Sequence, residues 1–359
     1  VTSAHTTTGR PLRERVIALI DRGVSLPPLS PAAAQLIRIL PQPIDRIDMR
    51  KLVELVQEDP TLSAHVLRLA NSPFWGIRQS VSTVGLAVSL IGLQEVVGTL
   101  NYHLLRQLTP NVKRSAHFSP DAFWLHSWRG ATAARLLGRP DLFVTCLPGQ
   151  LYMAGLLHDI GKLILVLHFG EEWEACADEA ATSGRPLHEV EQERMGVDHA
   201  EVGARQLEVW GLPDLIRFAV DWHHRPGELP EGPAREMASL IQFANAIAHA
   251  CTAHEVGTVP VCPISETWLG MHKDHPLSDP VKREGIVHEV MAALLARERH
   301  LDDGEATNAA EEEPARPAPI AAPRPVELAP ARPRVTRVGA AWRGGAHWLT
   351  RLRRLLLWS

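Results

Sequence analysis

The sequence predicts an all-α protein. Apolar residues recur at helical spacing from about Leu12 to Arg297, and no stretch sustains the two-residue alternation of a half-buried strand. The composition, 45% hydrophobic and 22% charged over 359 residues, is that of a globular chain long enough to bury a substantial core. The β-branched residues near Val256–Val261 are too few and too closely bounded by proline to suggest a sheet.

Residues 1–11 are polar, carry no apolar run and read as a disordered start. An N-terminal helical subdomain is expected over 12–112. Leu52, Leu55 and Val56 form a first clear stripe, ending at Asp59-Pro60, where Pro60 suits the first turn of a new helix. That helix carries Leu62, Val66 and Leu69 and stops at Asn71-Ser72-Pro73. Stripes at Leu86, Leu90 and Leu93, then at Val96, Leu100, Leu104 and Leu108, predict two further helices. Phe74 and Trp75 offer either a docking patch or packing beneath the next loop. A second helical bundle is expected over 113–297.

Beyond Leu301 the chain turns acidic and then rich in Pro, Ala and Arg. Such a segment buries too little apolar surface to offset its ordering entropy, so 298–338 reads as a disordered linker. Residues 339–359 interleave Trp342, Trp348, Leu352 and Trp358 with Arg343, Arg351, Arg353 and Arg354. This is a basic amphipathic tail suited to a membrane surface or a partner, or else one that folds back on the body.

A net charge of −4 argues against a global field for nucleic acid, and no nucleic-acid partner is expected. Cys146, Cys176, Cys251 and Cys262 lack metal-binding spacing and read as reduced thiols, which points to the cytoplasm. The longest apolar runs, Val84–Leu93 and Leu163–Leu167, are too short to span a bilayer.

The most informative segment is Ala154–Lys162, Ala-Gly-Leu-Leu-His-Asp-Ile-Gly-Lys. An adjacent His158-Asp159 pair in an apolar helix offers an imidazole and a carboxylate, a ligand set for manganese, iron or zinc. Other histidines lie on apolar faces. His126 lines up with Gly130, Ala133 and Leu137, and His199 with Gly203 and Leu207. His223 and His224 close the helix carrying Leu215 and Ala219. Ligands projecting inward from several helices are how bundles hold metals.

Gly155–Lys162 resembles the HD superfamily of metal-dependent phosphohydrolases. Leu26–Ser30, Glu58–Leu62 continuing through Val66–Ser72, Ala87–Leu93, Asp198–Ala204, Trp210–Pro213 and His223–Pro226 follow in the order found in HDOD domains, the HD-related output domains. By that resemblance His126, His158 and Asp159 match the family's metal ligands, and His199, His223 and His224 the extra histidines of two-metal relatives. The enzymes' last aspartate is matched by Asn245, within Leu240–Ile247, where a histidine is expected to partner the amide. A neutral amide leaves the site one negative charge short, so it is expected to be vestigial or to hold a divalent metal weakly. Lys162 would neutralise a substrate phosphate in an active relative, or serve as a cation at a helix C-terminus. The resemblance implies a bacterial signalling protein, cytoplasmic with a tail able to reach the inner membrane, acting through protein partners. The competing expectation is an active divalent-metal phosphohydrolase acting on a nucleotide or cyclic dinucleotide.

Overall fold

The structure, a computed structural model, describes residues 11–23, 46–106, 114–139, 144–255 and 275–311, with a few positions between them. Of residues 253–255 and 299–311 only the backbone course is described. The start of the chain, the Leu26–Ser30 motif, Cys262 and the 339–359 tail lie outside the described residues, as does most of the predicted linker. No strand occurs among the described residues.

The helices are α1 (Leu12–Asp21), α2 (Met49–Gln57), α3 (Pro60–Ala70), α4 (Val84–Ile91), α5 (Leu93–Arg106), α6 (Pro120–Leu137) and α7 (Pro148–Leu157). There follow α8 (Ile160–His168), α9 (Gly170–Ser183), α10 (Leu187–Met195), α11 (His199–Val209), α12 (Asp214–Asp221), α13 (Pro233–Glu255) and α14 (Pro280–Glu311). They enclose two apolar cores. The smaller gathers side chains of α2 to α5, such as Leu52, Leu62, Val88 and Leu100. The larger is built on α6, α7 and α13 and includes Trp124, Leu156 and Phe243.

Local chemistry explains the first body's boundaries. Asp59 caps α3 by accepting from Thr61 N at 2.9 Å and Leu62 N at 3.2 Å, and Pro60 fills the first position, where no N–H is needed. Asn71 ends the helix and pins the chain ten residues on. Its Nδ2 donates to Leu67 O and Val81 O, and its Oδ1 accepts from Val81 N, each at 2.8 Å. Gly92 takes φ +90° between α4 and α5, a region L-residues rarely adopt. In α4 the buried face is Val84, Ala87, Val88 and Ile91, while Leu90 is exposed. The expected Leu86–Leu90 stripe is therefore displaced, because periodicity cannot select a face where nearly every residue is apolar. Trp75 packs against the small core, and the partly exposed Phe74 lies under the Arg297 guanidinium of α14.

Two readings of the chain's organisation need correcting. Residues 12–21 do not join the N-terminal core: Val16 and Ile20 are buried in the larger one. α1 is tied to the α11 region by Arg13, which pairs with Glu201 and donates to Gly196 O at 2.7 Å, and by Asp21, which pairs with Arg205 at 2.8 Å. Helix α14 runs past residue 298 to Glu311 rather than yielding to a linker there. Its Ala-, Glu- and Arg-rich composition favours helix, and after Pro280 in its first turn no proline occurs until Pro314. The two bodies meet where Tyr152 Oη donates to Gly98 O at 2.8 Å and Arg135 pairs with Glu95 at 3.0 Å.

By length and composition Pro148–His168 is the one described stretch suited to crossing a membrane, yet 83% of its apolar 18-residue window is buried inside the body. It is also broken in the middle, at His158-Asp159, and the break is where the chemistry lies.

Candidate metal centre

Glycines set the helices around this break. A Cβ on Gly155 of α7 would lie 2.8 Å from Ala131 Cα and 2.9 Å from Gly130 O of α6. A Cβ on Gly161 of α8 would lie 2.0 Å from His199 O of α11. The glycines of the Gly-Leu-Leu-His-Asp-Ile-Gly motif are thus close-packing residues that draw α6 and α11 onto the His158-Asp159 junction. Asp159 leaves helical geometry with ψ near 7°, and α8 starts afresh at Ile160. Lys162 therefore stands in a first turn, not at a helix C-terminus, and the dipole explanation for it fails. Its ammonium instead donates to Asp159 Oδ2 at 2.8 Å, with both residues buried.

Six of the seven residues singled out from the sequence converge here. His126 Nε2, His158 Nε2 and Asp159 Oδ2 form a triangle with edges of 3.3, 3.6 and 3.4 Å. Bonds of about 2.0–2.1 Å to nitrogen or oxygen at a tetrahedral angle require ligand separations of about 3.3 Å, so one ion of the zinc class fits the triangle. On the other side Asp159 Oδ1 lies 3.3 Å from His199 Nε2 and 3.8 Å from His223 Nε2, while His224 Nε2 is 2.8 Å from His199 Nε2. The donor atoms of His199, His223 and His224 all lie within 4.8 Å of one another. Asp159 joins the two groups through its two oxygens.

The tautomers fit a metal as well. His158 Nδ1 lies 2.8 Å from Gly155 O and His223 Nδ1 lies 2.7 Å from Val220 O. A carbonyl only accepts, so both Nδ1 atoms carry the proton and both Nε2 atoms present a lone pair inward. His223 Nε2 is buried with no hydrogen-bond partner among the described residues. His199 is held the same way by a carboxylate: Glu191 Oε2 sits 2.6 Å from Nδ1 and accepts from His199 N at 2.9 Å. Glu191 also accepts from Trp173 Nε1 at 2.9 Å. An outer acceptor that fixes ring and tautomer is the usual second layer of a histidine metal site.

Charge is distributed unevenly. Burial pushes the Asp159 carboxyl up, but His158 and then Lys162 beside it outweigh that and hold the group well below the carboxylate range. Burial would lower His199, yet Glu191 and Asp159 lift it to about 9, so this ring must give up its Nε2 proton to take an ion. His126, His223 and His224 are held neutral, chiefly by burial and then by neighbouring histidines.

Asn245 is buried in α13, but its Oδ1 finds no hydrogen-bond partner among the described residues, so the expected histidine contact is not made. One turn on, His249 meets the centre instead, its ring 4.5 Å from that of His126. Sequence reasoning missed three residues. His249 shares Asn245's face at i, i+4, which was a usable signal. His188, stacked on His224 at 4.0 Å, and Glu191 sit in a charged helix that reads as solvated.

The model of the HDOD domain family matches residues 26–226. A curated relative, an uncharacterized protein of Treponema pallidum (strain Nichols), is 24% identical over 231 residues, which are 64% of this chain and 43% of the relative. The chain thus spans less than half of that relative's length. Among solved structures, an HDOD domain protein of unknown function from Geobacter sulfurreducens superposes with a TM-score of 0.61 at 22% identity, covering 78% of this chain and 97% of that one. A candidate phosphohydrolase from Shewanella amazonensis SB2B gives 0.59 at 23% identity, covering 80% and 97%. At these identities the likeness is one of fold.

Proposed function

This chain belongs to the HDOD domain family, and from that premise we propose that it is a bacterial cytoplasmic regulatory protein that signals by protein–protein contact, on an HD-type centre that has kept its shape and lost a carboxylate. One observation carries the reading: among the described residues Asp159 is the sole acid among the candidate ligands, beside five imidazoles, and by the sequence resemblance Asn245 matches the last aspartate of HD enzymes. A further carboxylate about 4 Å from a dication contributes roughly 8 kcal/mol of Coulomb attraction at a protein's effective dielectric, before desolvation is subtracted. Without it one ion is held and a second is not.

The residues suited to hold that ion, a manganese, iron or zinc dication, are His126, His158 and Asp159, with His199, His223 and His224 facing the bridging carboxylate. When bound, such an ion supplies Lewis acidity and lowers the pKa of water. The chain's own groups do the positioning. Glu191 orients His199, Gly155 O and Val220 O orient His158 and His223, and Lys162 holds Asp159.

The same three oriented rings favour a second reading, an active phosphohydrolase. Elemental analysis combined with assays on cyclic dinucleotides and a generic phosphodiester decides between them. The regulatory reading expects no more than one equivalent of metal and no turnover above background. It also expects Asn245→Asp to raise metal affinity at least about tenfold and to bring the content towards two equivalents. Two equivalents in the parent protein, with hydrolysis at enzymic rates, would overturn it.

A further inference from the structure

Beside the centre lies a cavity of about 510 Å³, within the range that holds drug-sized ligands. Its lining is sharply divided. One end is polar, formed by His126, Asp159 and Lys162 of the centre together with His249. The remaining wall is dominated by Phe118, Phe123, Trp173 and Leu187, with alanines of α6 and α9 between them. Phe118 anchors this wall, 5.5 Å from the Phe123 ring and edge-on to Trp173 at 5.9 Å. Trp173 is fixed in turn by Glu191, the same carboxylate that orients His199, so wall and centre share a support.

His249 belongs to neither group of candidate ligands. It lines the cavity, and its Nε2 has no hydrogen-bond partner among the described residues. Among the described lining residues Lys162 is the one lysine or arginine. A ligand carrying two separated anionic groups would set one of them against the aromatic wall, where the described lining offers only His117, already paired with Asp178 at 3.5 Å.

We propose that the cavity binds an amphiphile with one anionic head group: a phosphate or carboxylate head at the His126–Lys162–His249 end, and an apolar body, a fused ring pair or short acyl chain, against Phe118, Phe123 and Trp173. Its occupancy is the input that the regulatory protein reads. The proposal rests on the regulatory reading and extends it by naming the ligand class.

The test uses the full chain as purified, with its metal content measured. Calorimetric titration with 1-naphthyl phosphate and decanoate represents the two heads; inorganic phosphate and 1-naphthol are the head-only and body-only controls. At least one amphiphile is expected to bind about 30-fold or more tightly than either control, and the tighter of the two identifies the head. His249→Ala is expected to weaken that binding about tenfold. Ala122→Trp and Ala181→Trp, at exposed alanines on the rim, are expected to abolish it with unchanged melting temperature. Inorganic phosphate binding as tightly as the amphiphiles, or both Trp variants binding like the parent, overturns the proposal. Rapid hydrolysis of bound 1-naphthyl phosphate supports the cavity assignment and refutes the regulatory reading. A metal-loaded protein that binds neither amphiphile refutes the cavity assignment alone.

Discussion

Among the described residues histidines gather in two places, and the two gatherings differ chemically. At the HD-type centre the outer partner of each oriented ring is an acceptor: Gly155 O, Val220 O or Glu191. In the N-terminal body His65 of α3 stacks on His103 of α5 with ring centroids 3.4 Å apart, and the outer partner is a donor, with Arg68 Nη2 at 2.8 Å from His65 Nδ1. An Nδ1 that accepts must leave the proton on Nε2, so His65 carries an N–H at the position where the centre's oriented rings carry a lone pair. No carboxylate pairs with either stacked ring among the described contacts. A cluster of imidazoles thus becomes a metal site through what lies behind the rings, and the number of rings does not decide it.

The largest expected break in this contrast is Asp159→Asn. It removes the only anion among the candidate ligands, and metal content by mass spectrometry should fall below about a tenth of the parent's. His65→Ala and His103→Ala should leave the content unchanged. Because the introduced amide would take the carboxylate partner from the buried Lys162 ammonium, the single variant should also lose about 3–5 kcal/mol of stability. Combining it with Lys162→Met should restore most of that stability and none of the metal. Metal returning with the double variant would show that Asp159 is structural.

A smaller effect is expected from Glu191, which sits one bond further out. Glu191→Gln keeps an acceptor for His199 Nδ1 but loses the charge. Affinity measured by chelator competition should drop about tenfold, and about a hundredfold for Glu191→Ala. Equal affinities in all three proteins would mean that the tautomer of His199 is set elsewhere.

How far the sequence announces this arrangement differs from residue to residue. His158-Asp159 and their flanking glycines are local, so one segment carries both the ligands and the small residues that let α6 and α11 approach. His126, His199 and the His223-His224 pair each sit on an apolar face, which marks them as inward-facing. Glu191 carries the opposite mark: within Glu189–Arg194 it is one carboxylate among several charges, and only the packing of α10 beneath α11 buries it. Helix α1 presents a similar problem, since Val16 and Ile20 mark a buried face without saying which core receives it. Lys162 misleads because an unbroken apolar run conceals the helix break two residues before the motif's last glycine.

The last and smallest expected effect tests the other half of the contrast, the neutrality of the stack. Burial, then Arg68 and Arg106, lowers His65 to about 4; burial, then His65 and the two arginines, lowers His103 to about 2. The unfolded chain binds these protons near pH 6.5 and the folded chain does not, so their contribution to stability is complete above pH 6.5 and is lost as pH falls from there to about 4 for His65 and to about 2 for His103. Each neutral ring adds up to about 1.4 kcal/mol per pH unit to the slope in that window, and His65 less because it keeps some solvent contact. His103→Phe preserves a flat ring against His65 and removes one titrating group. Denaturant melts between pH 6.5 and 4 should therefore show a slope shallower by up to about 1.4 kcal/mol per unit, with the metal content of the centre unchanged. An unaltered slope would mean that the stack already carries a proton when folded, and the distinction between the two histidine gatherings would then fail at its electrostatic root.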